Sequence, residues 1–123
     1  MWKVSTTEDF DRWFAGLGGA EQAEAIAKVN LLKLLGPQLS RPHADTLNGS
    51  KHANMKELRA GTKDHVLRIA FAFDPTRSAI LLVGGDKSGV SQRRFYKQLI
   101  EKADKLYDEH LAMLKQQVKR KGN

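Results

Sequence analysis

The stretch RIAFAFDPTRSAILLVGGDK, Arg68–Lys87, decides how the chain is read. Two apolar runs flank Asp74-Pro75-Thr76-Arg77, a corner with the composition of a tight turn. Both runs are apolar and bounded by turn residues, as expected of two paired strands. Strand side chains alternate between faces, so the first run can be divided. Leu67, Ile69, Phe71 and Phe73 share one face, and Val66, Arg68, Ala70 and Ala72 share the other. The bulky set is the core face, worth roughly 1.5–3 kcal/mol for each side chain buried there. The small set either admits a close-packed helix or leaves a shallow concavity. A cation is costly in a closed core, so Arg68 argues that its end of this face stays open to solvent or to an anion. The second run stops at Gly84-Gly85, where no side chain covers the backbone, and leads into Asp86 and Lys87.

Working outward, MKELR (Met55–Arg59) reads as a short alternating strand. Its Leu58 joins the core face, which sets Glu57 and Arg59 on the opposite face, beside Arg68 if the two strands pair. The chain opens with a short strand around Trp2–Ser5. A helix follows, capped by Thr6 or Thr7 and favoured at its start by Glu8 and Asp9. Phe10, Trp13, Phe14 and Leu17 form its apolar stripe, and Gly18-Gly19 end it. A second helix rich in good helix formers stops at Gly36-Pro37. Residues 37–54 have no clean period and read as a long loop, a candidate substrate-facing rim holding Arg41, His43, Lys51 and His52. The last helix is expected from about Arg93 toward Val118, with Ile100, Ala103, Leu106, Tyr107, Leu111 and Leu114 on its apolar stripe. The order is β-α-α-β-β-β-α. It describes an α+β domain in which two N-terminal helices pack on a small, mainly antiparallel twisted sheet, with a C-terminal helix. Residues 1–118 form the single domain, and 119–123 are expected to be a basic flexible tail.

A chain of 123 residues suits one domain with a single modest core. The absence of Cys rules out disulfides and thiolate metal sites and fits a cytoplasmic location. No apolar run approaches the roughly 20 residues of a membrane span, and none has the layout of a secretory signal. The formal net charge is +7, three of it in Lys119, Arg120 and Lys121. That excess suits either a polyanionic partner, nucleic acid first, or mere solubility. His43, His52, His65 and His110 lack metal-ligand spacing, and there is no phosphate-cradling G-x-x-x-x-G-K, no G-x-S-x-G and no dinucleotide fingerprint. No metal and no cofactor is therefore expected. Arg59, Arg68 and Lys87 can converge at one edge of the open face, where phosphate suits them in charge and geometry. The plainer alternative is a solvated face of ion pairs, Glu57–Arg59 or Asp86–Lys87. Arg93, Arg94, Phe95, Tyr96 and Lys97 interleave cations with aromatics, a mix that can stack on bases or simply cap the core.

The segments LNGSKHANMKELR, VLRIAFAFDPTRSAILLVGGDKSGV and FYKQLIEKADKLYDEHL, in that order, closely resemble the HigB-type, phage Gp49-like branch of the RelE/ParE toxin superfamily. The resemblance runs from about Trp2 to Leu111. It implies a toxin of a type II toxin–antitoxin pair, acting as a ribosome-dependent endoribonuclease that cuts mRNA in the 30S A site. The reaction would be metal-free attack of the ribose 2′-hydroxyl on the adjacent phosphate. The resemblance places Arg68 and Lys87 on phosphate stabilisation and Arg59 on phosphate binding or sheet-end structure. Glu57, His52 and Tyr96 are the candidates for proton transfer. Lys51, Lys56, Arg77, Arg93, Arg94, Lys97 and the Lys119–Lys121 tail would contact RNA. The implied partners are a cognate helix-turn-helix antitoxin and mRNA on the ribosome, with operator DNA met only through the antitoxin complex. Two other readings stay open: a ParE-like gyrase-inhibiting toxin of the same fold, and a non-catalytic nucleic-acid-binding regulatory module.

Overall fold

Thr7 begins the helical part of the chain and ties it to the sheet. Its Oγ1 accepts the Phe10 N–H at 3.0 Å, as an N-cap does, and donates to the Leu82 carbonyl at 2.5 Å. A computed structural model describes residues 1–122. Strand β1 (Lys3–Thr6) leads into helices α1 (Glu8–Ala15) and α2 (Gly19–Leu35). A single 3₁₀ turn, Gly36–Gln38, follows, and then strands β2 (Ala44–Thr46), β3 (Met55–Gly61), β4 (Val66–Phe73) and β5 (Ser78–Asp86). Helix α3 (Gln92–Gly122) closes the order. Helix α2 stops where Gly36 adopts φ +56° and a Cβ would strike the indole of Trp2, so only glycine fits there.

The five strands lie in the order β1-β5-β4-β3-β2. The meander β2 to β5 is antiparallel throughout, and β1 runs parallel to β5, pairing Lys3 with Ser78 and Thr6 with Leu81. Two features depart from the sequence reading. Ala44–Thr46, inside the expected loop, is a strand that pairs Ala44 with Leu58 and Thr46 with Lys56. Three residues carry no readable alternation, and only the neighbouring ladder makes them a strand. The last helix also continues past Val118 through the residues expected to be a tail, up to Gly122. Asn123 lies outside the described residues.

The sheet has a core on each face. On the face of α1 and α2, Phe10, Ala25 and Leu32 pack with Leu58, Ile69, Phe71 and Leu81. On the other, Phe95, Leu99, Ala103 and Tyr107 of α3 pack with Met55, Ala70, Ala72, Ile80 and Leu82. Of the two possibilities for the face of small residues, the close-packed helix is the one found: Ala70 and Ala72 are both 0% exposed, and their size lets α3 approach closely. Gly84 and Gly85 are covered as well, Gly84 by the indole of Trp13 and Gly85 by the ring of Phe95 at 3.0 Å from an added Cβ. At the end of this face that carries Glu57, Arg59 and Arg68 the packing turns polar, with Tyr96 of α3 reaching Glu57.

A β-bulge in β5 decides what reaches that end. Ala70 pairs with Val83 while Phe71 pairs with Leu81, leaving Leu82 as the extra residue. Leu82 and Val83 both join the α3 core, so every residue beyond them has its face reversed. The reversal sets Gly85 opposite Arg68. It also carries Lys87, whose N–H donates to the Val66 carbonyl at 2.8 Å, to the face of α3.

Candidate active site

Arg59 and Arg68 stand directly opposite each other across the β3–β4 ladder. Like charges so placed are destabilising unless an anion lies between them. Glu57, two residues before Arg59 and on the same face, is that anion. It is only 3% exposed, and its carboxylate gathers the groups around it. The Tyr96 hydroxyl donates to Glu57 Oε1 at 2.6 Å. Arg59 Nε and Nη2 approach Oε2, each at 3.4 Å. Arg68 Nε lies 3.6 Å from Oε1, a buried ion pair too long for a hydrogen bond, and that nitrogen has no other partner. Arg68 is anchored instead by Nη1, which donates to the Leu67 carbonyl at 2.9 Å. Lys87 holds its ammonium 5.6 Å from the centre of the Tyr96 ring.

The electrostatics follow from this crowding. Burial, reinforced by the charge of Arg68, pulls the Lys87 ammonium below the ordinary lysine range, with Glu57 partly opposing. Burial, then the hydrogen bond to Glu57, pushes the Tyr96 phenol above its ordinary value. Tyr96 is therefore protonated near neutral pH and is a donor, not a free base. The group offers three cations in one place, one of them easily deprotonated for a lysine, around a single enclosed carboxylate.

The pairing Asp86–Lys87 does not form. Asp86 instead accepts from His65 at 2.5 Å, from the Val66 N–H at 3.1 Å and from both the backbone and hydroxyl of Ser88. It thereby pins the loop that follows Lys87. Asp45, which sequence reasoning missed, accepts from Arg41 at 2.7 Å and from Arg59 at 3.4 Å. It backs Arg59 from β2, the strand too short to read.

Other expected site residues lie elsewhere. His52 is held by Asp108 at 2.9 Å and meets the ring of Tyr107 edge-on, while Lys51 pairs with Asp108. Asp108 is twelve residues beyond Tyr96 on α3, roughly 18 Å along the helix, so His52 cannot share a substrate atom with Lys87. Arg77 sits in the β4–β5 turn at the far end of the sheet, 6.0 Å from the ring of Trp2. Lys56 pairs with Phe71 in the ladder and so belongs to the opposite face from Glu57. Arg93, Arg94 and Lys97 are near the site in sequence and are exposed on the first turns of α3. They line an open cleft of about 590 Å³ with Ser91, Gln98 and Glu101.

Residues 12–108 match the family described as phage derived protein Gp49-like. The chain belongs to that family. Two proteins of Mycobacterium tuberculosis with toxin names are similar to this Gp49-like chain. HigB2 is 42% identical over 113 residues, covering 89% of this chain and 56% of its own. HigB3 is 47% identical over 103 residues, covering 83% of this chain and 87% of its own. The chain thus spans about half the length of one relative and most of the other. They place this Gp49-like chain among HigB-type relatives. Among solved structures, an E. coli RelE mutant in the free state superposes with a TM-score of 0.58 at 10% identity, covering 82% of this chain and 95% of its own. A chain of an archaeal RelE–RelB complex from Pyrococcus horikoshii superposes with a TM-score of 0.53 at 12% identity, covering 72% of this chain and 98% of its own. These likenesses show the RelE fold.

Proposed function

We propose that this chain is the toxin of a type II toxin–antitoxin pair and acts as an endoribonuclease on mRNA in the ribosomal A site. One observation carries the reading: Arg59, Arg68 and Lys87 are gathered at one sheet end, where the bulge in β5 turns Lys87 toward Arg68. With Asp45 taken up mainly by Arg41 at 2.7 Å, the three cations against Glu57 leave a local charge of 3 − 1 = +2, an excess that suits a phosphodiester. The toxin names of its relatives support the physiological role. Arg59 and Arg68 then hold the non-bridging phosphate oxygens, and the negative charge that builds on phosphorus is stabilised in a partly dry site. Lys87 lies close enough to serve the same phosphate. Exposed Arg93, Arg94 and Lys97 extend the positive surface beyond the scissile bond and make binding salt-dependent. A helix-turn-helix antitoxin is the proposed neutralising partner.

The test is induced expression with and without a helix-turn-helix protein encoded beside this one, followed by mapping of mRNA 5′ ends. The expected result is growth arrest with cleavage in codon register, relieved by the neighbour. Arrest without cleavage overturns the ribonuclease reading in favour of a ParE-like action on gyrase. Absence of arrest overturns the toxin reading itself.

A further inference from the structure

Lys87 is held at the site against its own electrostatics. Burial, then the charges of Arg68 and Arg59, work against its ammonium, with Glu57 partly opposing. Lys87 is also the first residue past the end of β5, tied to β4 by its N–H to the Val66 carbonyl at 2.8 Å. A strand end so loaded frays unless something outside the site holds it.

The holder lies on the other side of the sheet. Asp86 pairs with Leu67 in the ladder, so its side chain shares the α1–α2 face with Leu67 and with His65, two residues earlier. Asp86 Oδ1 accepts from the Val66 N–H at 3.1 Å, the Ser88 N–H at 2.9 Å and the Ser88 hydroxyl at 2.6 Å. Among the described residues, Oδ2 accepts from His65 Nδ1 alone, at 2.5 Å. His65 closes the turn between β3 and β4, where its carbonyl accepts the Thr62 N–H at 3.0 Å. Val66 is thus used twice, its N–H on Asp86 and its carbonyl on Lys87.

We infer that His65 is a positioning residue for Lys87: by gripping Asp86 across the strand ends it locks the backbone that carries Lys87, and so holds that ammonium at the site from the opposite face of the sheet. His65 itself is remote from the phosphate, so any effect of it on the reaction passes through Lys87. The grip is strongest with the imidazole charged. The hydrogen bond from His65 to Asp86 raises the imidazolium above the ordinary histidine value against the effect of burial, and the charges of Asp86, Glu21 on α2 and Asp64 in the turn add to it. A histidine raised on folding contributes fully below its unfolded value of about 6.5 and loses that contribution as pH rises through the folded value. On the face of Lys87 the neighbouring groups are Arg59 and Glu57 on β3, Arg68 on β4 and Tyr96 on α3.

What Lys87 does once held rests on the ribonuclease reading, and Tyr96 supplies a readout that does not. The Lys87 ammonium lies 5.6 Å from the ring centre, over the ring, so the ε-methylene protons of a held Lys87 are shifted upfield by it. Side-chain NMR follows that shift against pH in the wild type, His65→Ala and His65→Asn, with single-turnover cleavage on mRNA-programmed ribosomes beside it. In the wild type the shift is expected below about pH 6.5 and should shrink with the same midpoint as the His65 ring resonances. His65→Ala should lose it at every pH while moving the melting temperature by no more than about 5 °C, because the side chain is 44% exposed. Its cleavage should slow by about 10- to 10²-fold with little change in KM. His65→Asn, whose amide still donates to Asp86, should restore most of the shift and the rate and abolish the titration. A His65→Ala variant that keeps the ring shift, or loses it and cleaves at the wild-type rate, overturns the inference. So does a wild-type shift that ignores the titration of His65. If His65→Ala does not fold, that titration decides alone. A wild type that cleaves nothing overturns the ribonuclease reading and leaves the ring shift to judge the grip on Lys87.

Discussion

Lys87 shows how one side chain's position and chemistry can be tested apart. It stands just beyond β5, tied by its backbone N–H to the Val66 carbonyl, and its side chain contributes little to either core. Lys87→Ala is expected to abolish growth arrest while costing about 1 kcal/mol or less in stability. Urea denaturation beside a growth assay checks this, and loss of the cooperative transition would make Lys87 structural. Its neighbour Asp86 has the opposite character. Burial disfavours its charge, but hydrogen bonds from Ser88, His65 and Val66 outweigh that and hold its carboxyl at about 2. A depressed carboxyl stabilises the fold above its unfolded value of about 4 and loses that contribution as pH falls toward 2. Asp86→Asn should therefore cost roughly 2 kcal/mol at pH 6 and almost nothing at pH 2, as measured by denaturation at the two pH values. At this scale the sequence was readable where alternation alone governs. Period two is enough to put Glu57, Arg59 and Arg68 on one face. It says nothing of Asp45, whose strand is three residues long and exists only through pairing with β3.

At the scale of elements, β5 departs from strict alternation, and its bulge matters most. Had β5 stayed regular past Leu82, Lys87 would share a face with Leu81 and Trp13 instead of with Arg68. A bulge is a property of the pair β4–β5, so neither strand's sequence announces it. The glycines beyond it are consequences of packing. Trp13 lies flat over Gly84, whereas Phe95 meets Gly85 less tightly. Gly84→Ala should then cost about 2 kcal/mol or more and Gly85→Ala about half that, ranked by chemical denaturation. The turn at the other end of β4 is pinned by Asp74, which accepts from the backbones of Thr76 and Ser78, from the Thr76 hydroxyl, and from His110 on α3 at 2.8 Å. Asp74→Ala removes an anchor common to turn and helix and should destabilise by about 2–4 kcal/mol.

Across the whole molecule the excess of positive charge is split between two ends. The site lies where α3 begins. The helix crosses the sheet, touches Asp74 through His110, and then projects with Lys115, Lys119, Arg120 and Lys121 all exposed. Lys121 is twenty-five residues beyond Tyr96, roughly 38 Å along the helix axis, so this basic end cannot grip the same nucleotide as Lys87. Ending the chain at Leu114 lowers the net charge from +7 to 7 − 4 = +3. The melting temperature should move by no more than about 3 °C, since residues 115–121 are all exposed. The slope of log K against log salt for single-stranded RNA should become shallower by about 1–3. What the sequence determined by itself was the content of each element, the division of each strand into two faces and the presence of three cations on one of them. Those are local periodicities, legible without knowing any partner. Only the tertiary structure decided that α3 closes over Ala70 and Ala72, that β1 lies parallel on β5, that His52 is stranded beside Asp108, and that Glu57 is sealed beneath Tyr96. Each depends on contacts between residues far apart in the chain, where the register of a ladder and the fit of a helix are settled by the whole assembly at once.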